Sequence, residues 1–218
     1  MKYIRKFENH SQYQTYTADT SNFILPNVSL CVQENEVHYN PYVDPYNGHE
    51  YVDLGLPSGT KWATMNVGAS SETDYGNYYQ YGKGAAQYAA TSGDSDYSGT
   101  EDPLDSSVDT AVQVWGGSWH MPTTAQMNEL AANTTYKWTT INGVSGGKFT
   151  ATNGNYVFFP AAGAWYNGSQ RSVGNSGNYW GSSPNGSNNA YSLYFNNGSK
   201  DVYSVYRKLG YSVRPVAG

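Results

Sequence analysis

With 218 residues and a single cysteine, Cys31, the chain is long enough to bury a core without metal, and an intrachain disulfide is excluded. Charged residues make up only 13% of the sequence while 22 tyrosines and 24 glycines are present, a composition that argues against disorder. Residues 1–160 carry 7 Lys/Arg against 16 Asp/Glu and residues 161–218 carry 5 against 1, and five scattered cations exclude the clustered patch of a nucleic-acid binder.

The N-terminal residues include basic side chains but no apolar core of a secretory signal, and no apolar run reaches the length of a membrane span. Two interpretations fit this start. Either the protein stays in the cytoplasm until it is assembled into a larger particle, or a signal has been removed. The initiating Met1 favours the first interpretation, and we expect no membrane insertion.

Residues 1–46 are predicted to form a separate attachment segment, made of a helix and a hairpin. A helix N-cap is predicted at Asn9, with tyrosines following at helical spacing. Apolar residues then alternate over 28–32 and 37–39 around a polar turn, which predicts the hairpin. Prolines and an Asn-Gly pair place the boundary near residue 46. The alternative is that this segment is only the first strand pair of a single domain.

Residues 47–218 are rich in turn signals. Six Asn-Gly pairs occur, and this dipeptide strongly favours hairpin turns. Aromatic or β-branched runs at 156–159, 191–195 and 203–206 predict strands. A capping box predicts a helix over 122–133, and a second short helix is predicted near 109–114. The sequence therefore predicts a loop-rich α+β fold with short antiparallel strands and one or two helices.

No pattern in the sequence predicts catalysis or a bound metal. The four histidines lack metal-ligand spacing, and no cysteine lies near one. The acidic residues between 94 and 109 lack the ordered spacing of an EF-hand, so a solvated loop is predicted, with a calcium site as the alternative. No Asp or Glu lies between Leu130 and Lys200, where most strands are predicted. We therefore predict no enzyme, no catalytic residue, no metal and no cofactor.

The last sixty residues have the composition of a binding surface. From Ala162 onward Tyr, Ser, Asn and Gly predominate, and such residues combine rigid amphipathic contact area with adaptable hydrogen bonds. The alternative is that the tyrosines serve only β-propensity. That alternative fits 203–211 poorly, because only Val205 and Leu209 there resemble core residues. The pattern favours a binding face.

Several segments resemble the bacterial branch of the C-type lectin fold shared with formylglycine-generating enzymes. They include Gly-Leu-Pro-Ser-Gly-Thr-Lys-Trp-Ala at 55–63, Trp-Gly-Gly-Ser-Trp-His-Met-Pro at 115–122 and Gly-Tyr-Ser-Val-Arg-Pro-Val at 210–216. The resemblance implies a C-type lectin-like ligand-binding domain over 47–218. It does not extend to the enzyme activity, because the reactive cysteines have no counterpart in this domain. The calcium motifs of sugar-binding animal lectins are also missing.

The C-terminal pattern is similar to the variable proteins of diversity-generating retroelements, in which substitutions accumulate across a C-terminal repeat. The resemblance implies a variable region over about 165–216 in which residues such as Trp180, Phe195, Arg214 and Pro215 stay fixed. The positions expected to form the ligand-binding face are Trp165, Tyr166, Ser192, Tyr194, Asp201, Tyr203, Ser204, Tyr206, Lys208, Leu209 and Tyr211.

The N-terminal segment contains Phe7-Glu8, Leu25-Pro26-Asn27-Val28-Ser29 and Val37-His38-Tyr39-Asn40-Pro41. In these stretches it is similar to tail-associated proteins of phages that infect gut Bacteroidales. The combined resemblance implies a receptor-binding adhesin of the virion tail, made in the host cytoplasm, that binds a bacterial surface protein or glycan. Residues 1–46 would contact other tail proteins, and a homotrimer is compatible with this placement. Three alternatives stay open: a cell-surface or pilus-tip adhesin of a gut bacterium, an enzyme of the formylglycine-generating type, and a structural tail protein whose tyrosines only pack.

Overall fold

A computed structural model describes residues 2–6, 13–17, 29–33, 36–40, 44–85 and 97–218. The chain divides into two compact units, Met1–Asn47 and Gly48–Gly218. The boundary predicted from the sequence lay near residue 46. Each unit has its own strand pairing, and they are described separately below.

The first unit contains two antiparallel strand pairs. Strand β1 (Lys2–Lys6) pairs with β2 (Tyr13–Thr17), and β3 (Ser29–Gln33) pairs with β4 (Glu36–Asn40). The second pair lies where the hairpin was predicted. The helix predicted after Asn9 is wrong at residues 13–17, which form a strand, because four of these five residues are Tyr or Thr, which have high β-propensity.

The described residues of the second unit form four small antiparallel sheets and two helices. Its elements, in chain order, are β5 (Tyr51–Asp53), β6 (Lys61–Ala63), β7 (Tyr79–Gln80), α1 (Thr110–Trp115), α2 (Thr124–Asn133), β8 (Thr134–Ile141), β9 (Val144–Ala151), β10 (Tyr156–Pro160), β11 (Ala164–Tyr166), β12 (Ser169–Arg171), β13 (Ser176–Asn185), β14 (Asn189–Asn196), β15 (Lys200–Tyr206), β16 (Gly210–Tyr211) and β17 (Val216–Ala217). The sheets have the strand orders β17-β6-β5, β10-β9-β8, β12-β11-β16-β7 and β13-β14-β15.

The predicted α+β fold class, and with it the C-type lectin-like fold, is wrong. Strands account for 41% of the structure and helices for 10%, so the protein is mainly β. The tight turns explain the difference. Asn142 and Gly143 have φ angles of 48° and 81° and connect Ile141 directly to Val144, as in a two-residue hairpin of type I′. Because the chain returns at once as the next strand, few residues are left for helices.

Both helices predicted for the second unit are confirmed. Thr123 caps α2 and forms a capping box with Gln126, which satisfies backbone N–H groups that the first helical turn leaves open. Asp109 caps α1, because its carboxylate accepts from the backbone N–H groups of Ala111 and Val112. These local signals fix where each helix begins.

The core of the second unit is largely aromatic. Phe149, Phe159 and Phe195 are fully buried, and their ring centroids lie 5.4–6.2 Å apart. Edge-to-face contacts of this kind stabilise a core beyond the burial of area alone. Helix α2 contributes Met127 and Leu130 to the same cluster. This core supports one side of the β13-β14-β15 sheet and leaves the other side to form a site.

Candidate functional site

One side of the β13-β14-β15 sheet collects several of the predicted binding residues. The register places Ser192 opposite Tyr203 and Tyr194 opposite Asp201, and directly opposed residues project to the same side of a sheet. We call the side that carries Tyr194, Asp201 and Tyr203 the tyrosine face. The other side carries Leu193, which lies in the core.

The tyrosine face rests on buried aromatic side chains. Trp180 is fully buried, and its ring lies 4.6 Å from the ring of Tyr211, which is 4% exposed. The side chains of Tyr211 and Tyr203 interact electrostatically. The Tyr203 ring in turn meets the Tyr194 ring at 5.6 Å and 74°. The two ring pairs lead from the interior to the surface, where Tyr194 and Tyr203 are half-buried.

The hydroxyl groups of Tyr203 and Tyr211 are not activated for catalysis. Burial raises the pKa of Tyr203 and of Tyr211, because a low-dielectric environment disfavours the charged phenolate. Both side chains therefore stay neutral at physiological pH. They can donate and accept hydrogen bonds, but this environment does not make either of them a base or a nucleophile.

Hydrogen bonds also fix the position of Tyr194. The Asn196 side-chain amide donates to the Tyr194 hydroxyl at 2.8 Å. The other side-chain atom, Asn196 Oδ1, accepts from the backbone N–H groups of Gly198 and Ser199 at 2.7 and 2.9 Å. The Tyr136 hydroxyl donates to the carbonyl of Asn196. The Tyr194 ring is therefore held by the turn that follows Asn196, and hydrogen bonds within this turn fix its shape.

Four of the predicted binding residues do not lie on the exposed tyrosine face. Ser192 is fully buried and Tyr211 is nearly so, so neither can contact a ligand from this surface. Ser204 and Tyr206 lie opposite Tyr191 and Asn189, on the other side of the sheet. Their side chains point away because residues alternate along a strand.

The other predicted residues lie on or beside the neighbouring sheet. Trp165 and Tyr166 are in β11, where Trp165 pairs with Gly210 and packs against Tyr78. Lys208 and Leu209 are in the turn between β15 and β16, and the Gln80 side chain donates to the Lys208 carbonyl at 3.2 Å. These residues belong to the sheet that contains Tyr211 or to the turn before it, and not to the tyrosine face.

The sequence did not single out Arg207, which is 1% exposed. Its guanidinium donates to the carbonyls of Gly186, Asn189, Tyr97 and Gly99 at 2.6–3.1 Å. It also lies 4.8 Å from the centre of the Tyr81 ring. The signal in the sequence was an arginine within a tract of mostly uncharged residues. It clamps the hairpin after β13 to the loop at 97–99.

The described carboxylates of the acidic segment have local partners. Asp109 caps α1 and also accepts from the Met121 backbone at 2.9 Å. Asp102 accepts from Ser183, and Asp105 accepts from Ser107. Asp94 and Asp96 lie outside the described residues. Within the described ranges, no group of three or more His, Cys, Asp or Glu residues could hold a metal ion.

Neither α1 nor α2, the helices found in the described part of the chain, is long and apolar enough to cross a membrane.

A family model described as a domain of unknown function (DUF8237) matches residues 134–216. The matched stretch runs from β8 into β17 and includes the whole tyrosine face, but it covers less than half of the chain. The comparisons with curated proteins and with solved structures found no match.

Proposed function

We propose that this protein is a receptor-binding adhesin that contacts a bacterial surface protein or glycan through the tyrosine face. The observation that carries this proposal is the edge-to-face pair of Tyr194 and Tyr203, which is half-exposed and anchored from below by Tyr211. Rigid aromatic side chains give binding area at a low cost in conformational entropy. A surface that is already ordered therefore favours recognition.

The proposal places the protein in a phage tail, on the basis of the sequence resemblance of residues 1–46. The compact N-terminal unit Met1–Asn47 supports this division of labour, in which one unit joins other tail proteins and the other is displayed. Several copies in one particle would raise the avidity of individually weak sites.

Diversification by a retroelement belongs to the same proposal. Substitutions at the exposed position 201 and at the half-exposed positions 194 and 203 would change the ligand while Trp180 and Tyr211 keep the underlying support. A reverse transcriptase gene and a template repeat near the coding sequence would support this part of the proposal. A genome without either would contradict it and leave the adhesin function standing.

The adhesin function is tested by the binding of the fluorescently labelled full chain to a panel of gut Bacteroidales strains. We expect Tyr194→Ala and Asp201→Lys to lower the cell-bound signal about tenfold, which corresponds to the loss of one binding hot spot. Tyr156→Ala is the matched control, because Tyr156 is 36% exposed on another sheet. Unfolding temperatures confirm that each variant folds.

Two results would contradict the proposal. One is a parent chain that binds no strain of the panel. The other is a pair of folded variants, Tyr194→Ala and Asp201→Lys, that bind cells as well as the control does.

A further inference from the structure

The tyrosine face carries one formal charge, and that charge is negative. On strands β13 to β15, which the structure describes in full, the ionisable residues besides tyrosine are Lys200 and Asp201. Lys200 pairs with Phe195 and projects to the core side. Asp201 pairs with Tyr194 on the tyrosine face and is exposed. The face therefore combines aromatic rings with a carboxylate.

Two rings and the carboxylate are arranged as parts of a cage. Tyr194 and Tyr203 stand at 74° to each other with their centres 5.6 Å apart, so they form two walls at a corner. Asp201 is directly opposite Tyr194 and is two positions from Tyr203 on the same strand. A cation within about 6 Å of an aromatic face is attracted by the ring quadrupole, and the carboxylate adds an attraction of the same sign.

Hydrogen bonds hold the Tyr194 ring and the Asp201 carboxylate in place. The Tyr194 hydroxyl accepts from the Asn196 side chain. Asp201 Oδ1 accepts from the backbone of Val202 at 2.8 Å. The face therefore offers a ligand two ring surfaces beside a fixed negative charge. This combination favours a cation, because the ring faces and the carboxylate both attract positive charge.

We propose that the tyrosine face binds an ammonium group that carries alkyl substituents, as in a choline-type headgroup or a lysine side chain of a surface protein. This proposal rests on the adhesin function above and names the chemistry that the same face recognises. The rings of Tyr194 and Tyr203 contact the alkyl groups, and Asp201 neutralises the charge. No covalent step is involved.

The test is titration of the full chain, followed by NMR or calorimetry, with three small probes. Choline represents the headgroup, Nα-acetyl-lysine methylamide represents a protein lysine, and 3,3-dimethylbutan-1-ol is the neutral isostere of choline. We expect at least one cation to bind five times more tightly than the neutral isostere. The better of the two cations identifies the source of the ligand.

Variants separate the charge from the rings. Asp201→Asn keeps the size of the side chain and should weaken cation binding at least fivefold, with a smaller dependence on salt concentration. Tyr203→Leu should weaken it as well, whereas Tyr156→Leu, on a different sheet, should leave it unchanged. Because Asp201 is exposed, the Asp201→Asn variant is expected to fold like the parent chain.

The proposal would be overturned if neither cation bound more tightly than the neutral isostere, and also if the affinity were unchanged in Asp201→Asn. Preferential binding of galactose or mannose would also overturn it. The two proposals fail separately. If bacterial cells are bound through the tyrosines but no cation binds, the cation site is wrong and the adhesin function stands. If a cation binds but no bacterial cell is bound, the cation site stands and the adhesin function is wrong.

Discussion

The side chains of Tyr203 and Tyr211 interact electrostatically across two sheets. Tyr203 lies half-buried in β15, whereas Tyr211 lies in β16 with 4% of its surface exposed and its ring against Trp180. The two tyrosines come from the same polar-aromatic tract, yet one belongs to the surface and the other supports it. The surface ring is therefore coupled to a buried one.

Removing the Tyr211 hydroxyl should loosen the surface ring without unfolding the protein. Tyr211→Phe keeps the contact with Trp180 and deletes only the hydroxyl, so we expect a loss of about 1 kcal/mol and a fall in Tm of about 2–4 °C. Binding to cells should weaken severalfold. Tyr78→Phe is the control, because the Tyr78 hydroxyl donates to the Ala162 carbonyl elsewhere in the core. Equal binding by the two variants would contradict a role for Tyr211 in positioning Tyr203.

Local features of this protein could be predicted from the sequence, and contacts between distant segments could not. The helix caps Asp109 and Thr123 and the Asn-Gly turns act within a few residues, so their positions were readable. The aromatic and β-branched runs likewise indicated the strands β10, β14 and β15. Ser192 is buried between its register partners Trp180 and Tyr203, and no local pattern encodes that packing.

The same limit applies to fold class and to Arg207. Short apolar runs indicate strands, but they do not indicate how many hairpins follow one another or how few residues are left for helices. Arg207 forms hydrogen bonds to carbonyls as far away in sequence as Tyr97. An arginine in a polar tract looks like a surface residue unless this loop is known to cover it.

Even the conservative replacement Arg207→Lys should destabilise the protein. A lysine keeps the charge but cannot reproduce the fork of donors that reaches four carbonyls. We expect Arg207→Lys to lose about 3 kcal/mol, the scale of breaking a buried charged network, and to lower Tm by about 6–12 °C. Hydrogen exchange should speed up first at residues 97–99. The exposed Arg171→Lys is the control, and similar exchange in both variants would contradict the clamp.

Replacing Asp109 by asparagine, which has nearly the same shape, should destabilise the protein. Its Oδ1 accepts from Ala111 and Val112, and its Oδ2 accepts from Met121. In Asp109→Asn the side-chain NH2 would replace one acceptor and leave a buried donor unpaired. We expect a cost of about 1–3 kcal/mol, measured by denaturant unfolding. Asp105→Asn, at an exposed position, should have a smaller effect on stability. Equal stability of the two variants would rule out this account.

Asp74 should contribute to unfolding in acid. Its carboxylate accepts from the backbone N–H groups of Ser70 and Gly76, and these hydrogen bonds hold its pKa below the ordinary value of 3.8. Because the pKa is lower in the folded state, ionised Asp74 stabilises the fold above pH 3.8, and this stabilisation is lost as the pH falls through the folded-state pKa. Asp74→Asn removes the titration. The variant should therefore have a lower Tm than the parent at pH 6, and the difference should shrink towards pH 3. Asp53→Asn provides the comparison, because the Asp53 carboxylate accepts one backbone N–H group. Parallel curves of Tm against pH for the parent chain and Asp74→Asn would show that Asp74 does not contribute to unfolding in acid.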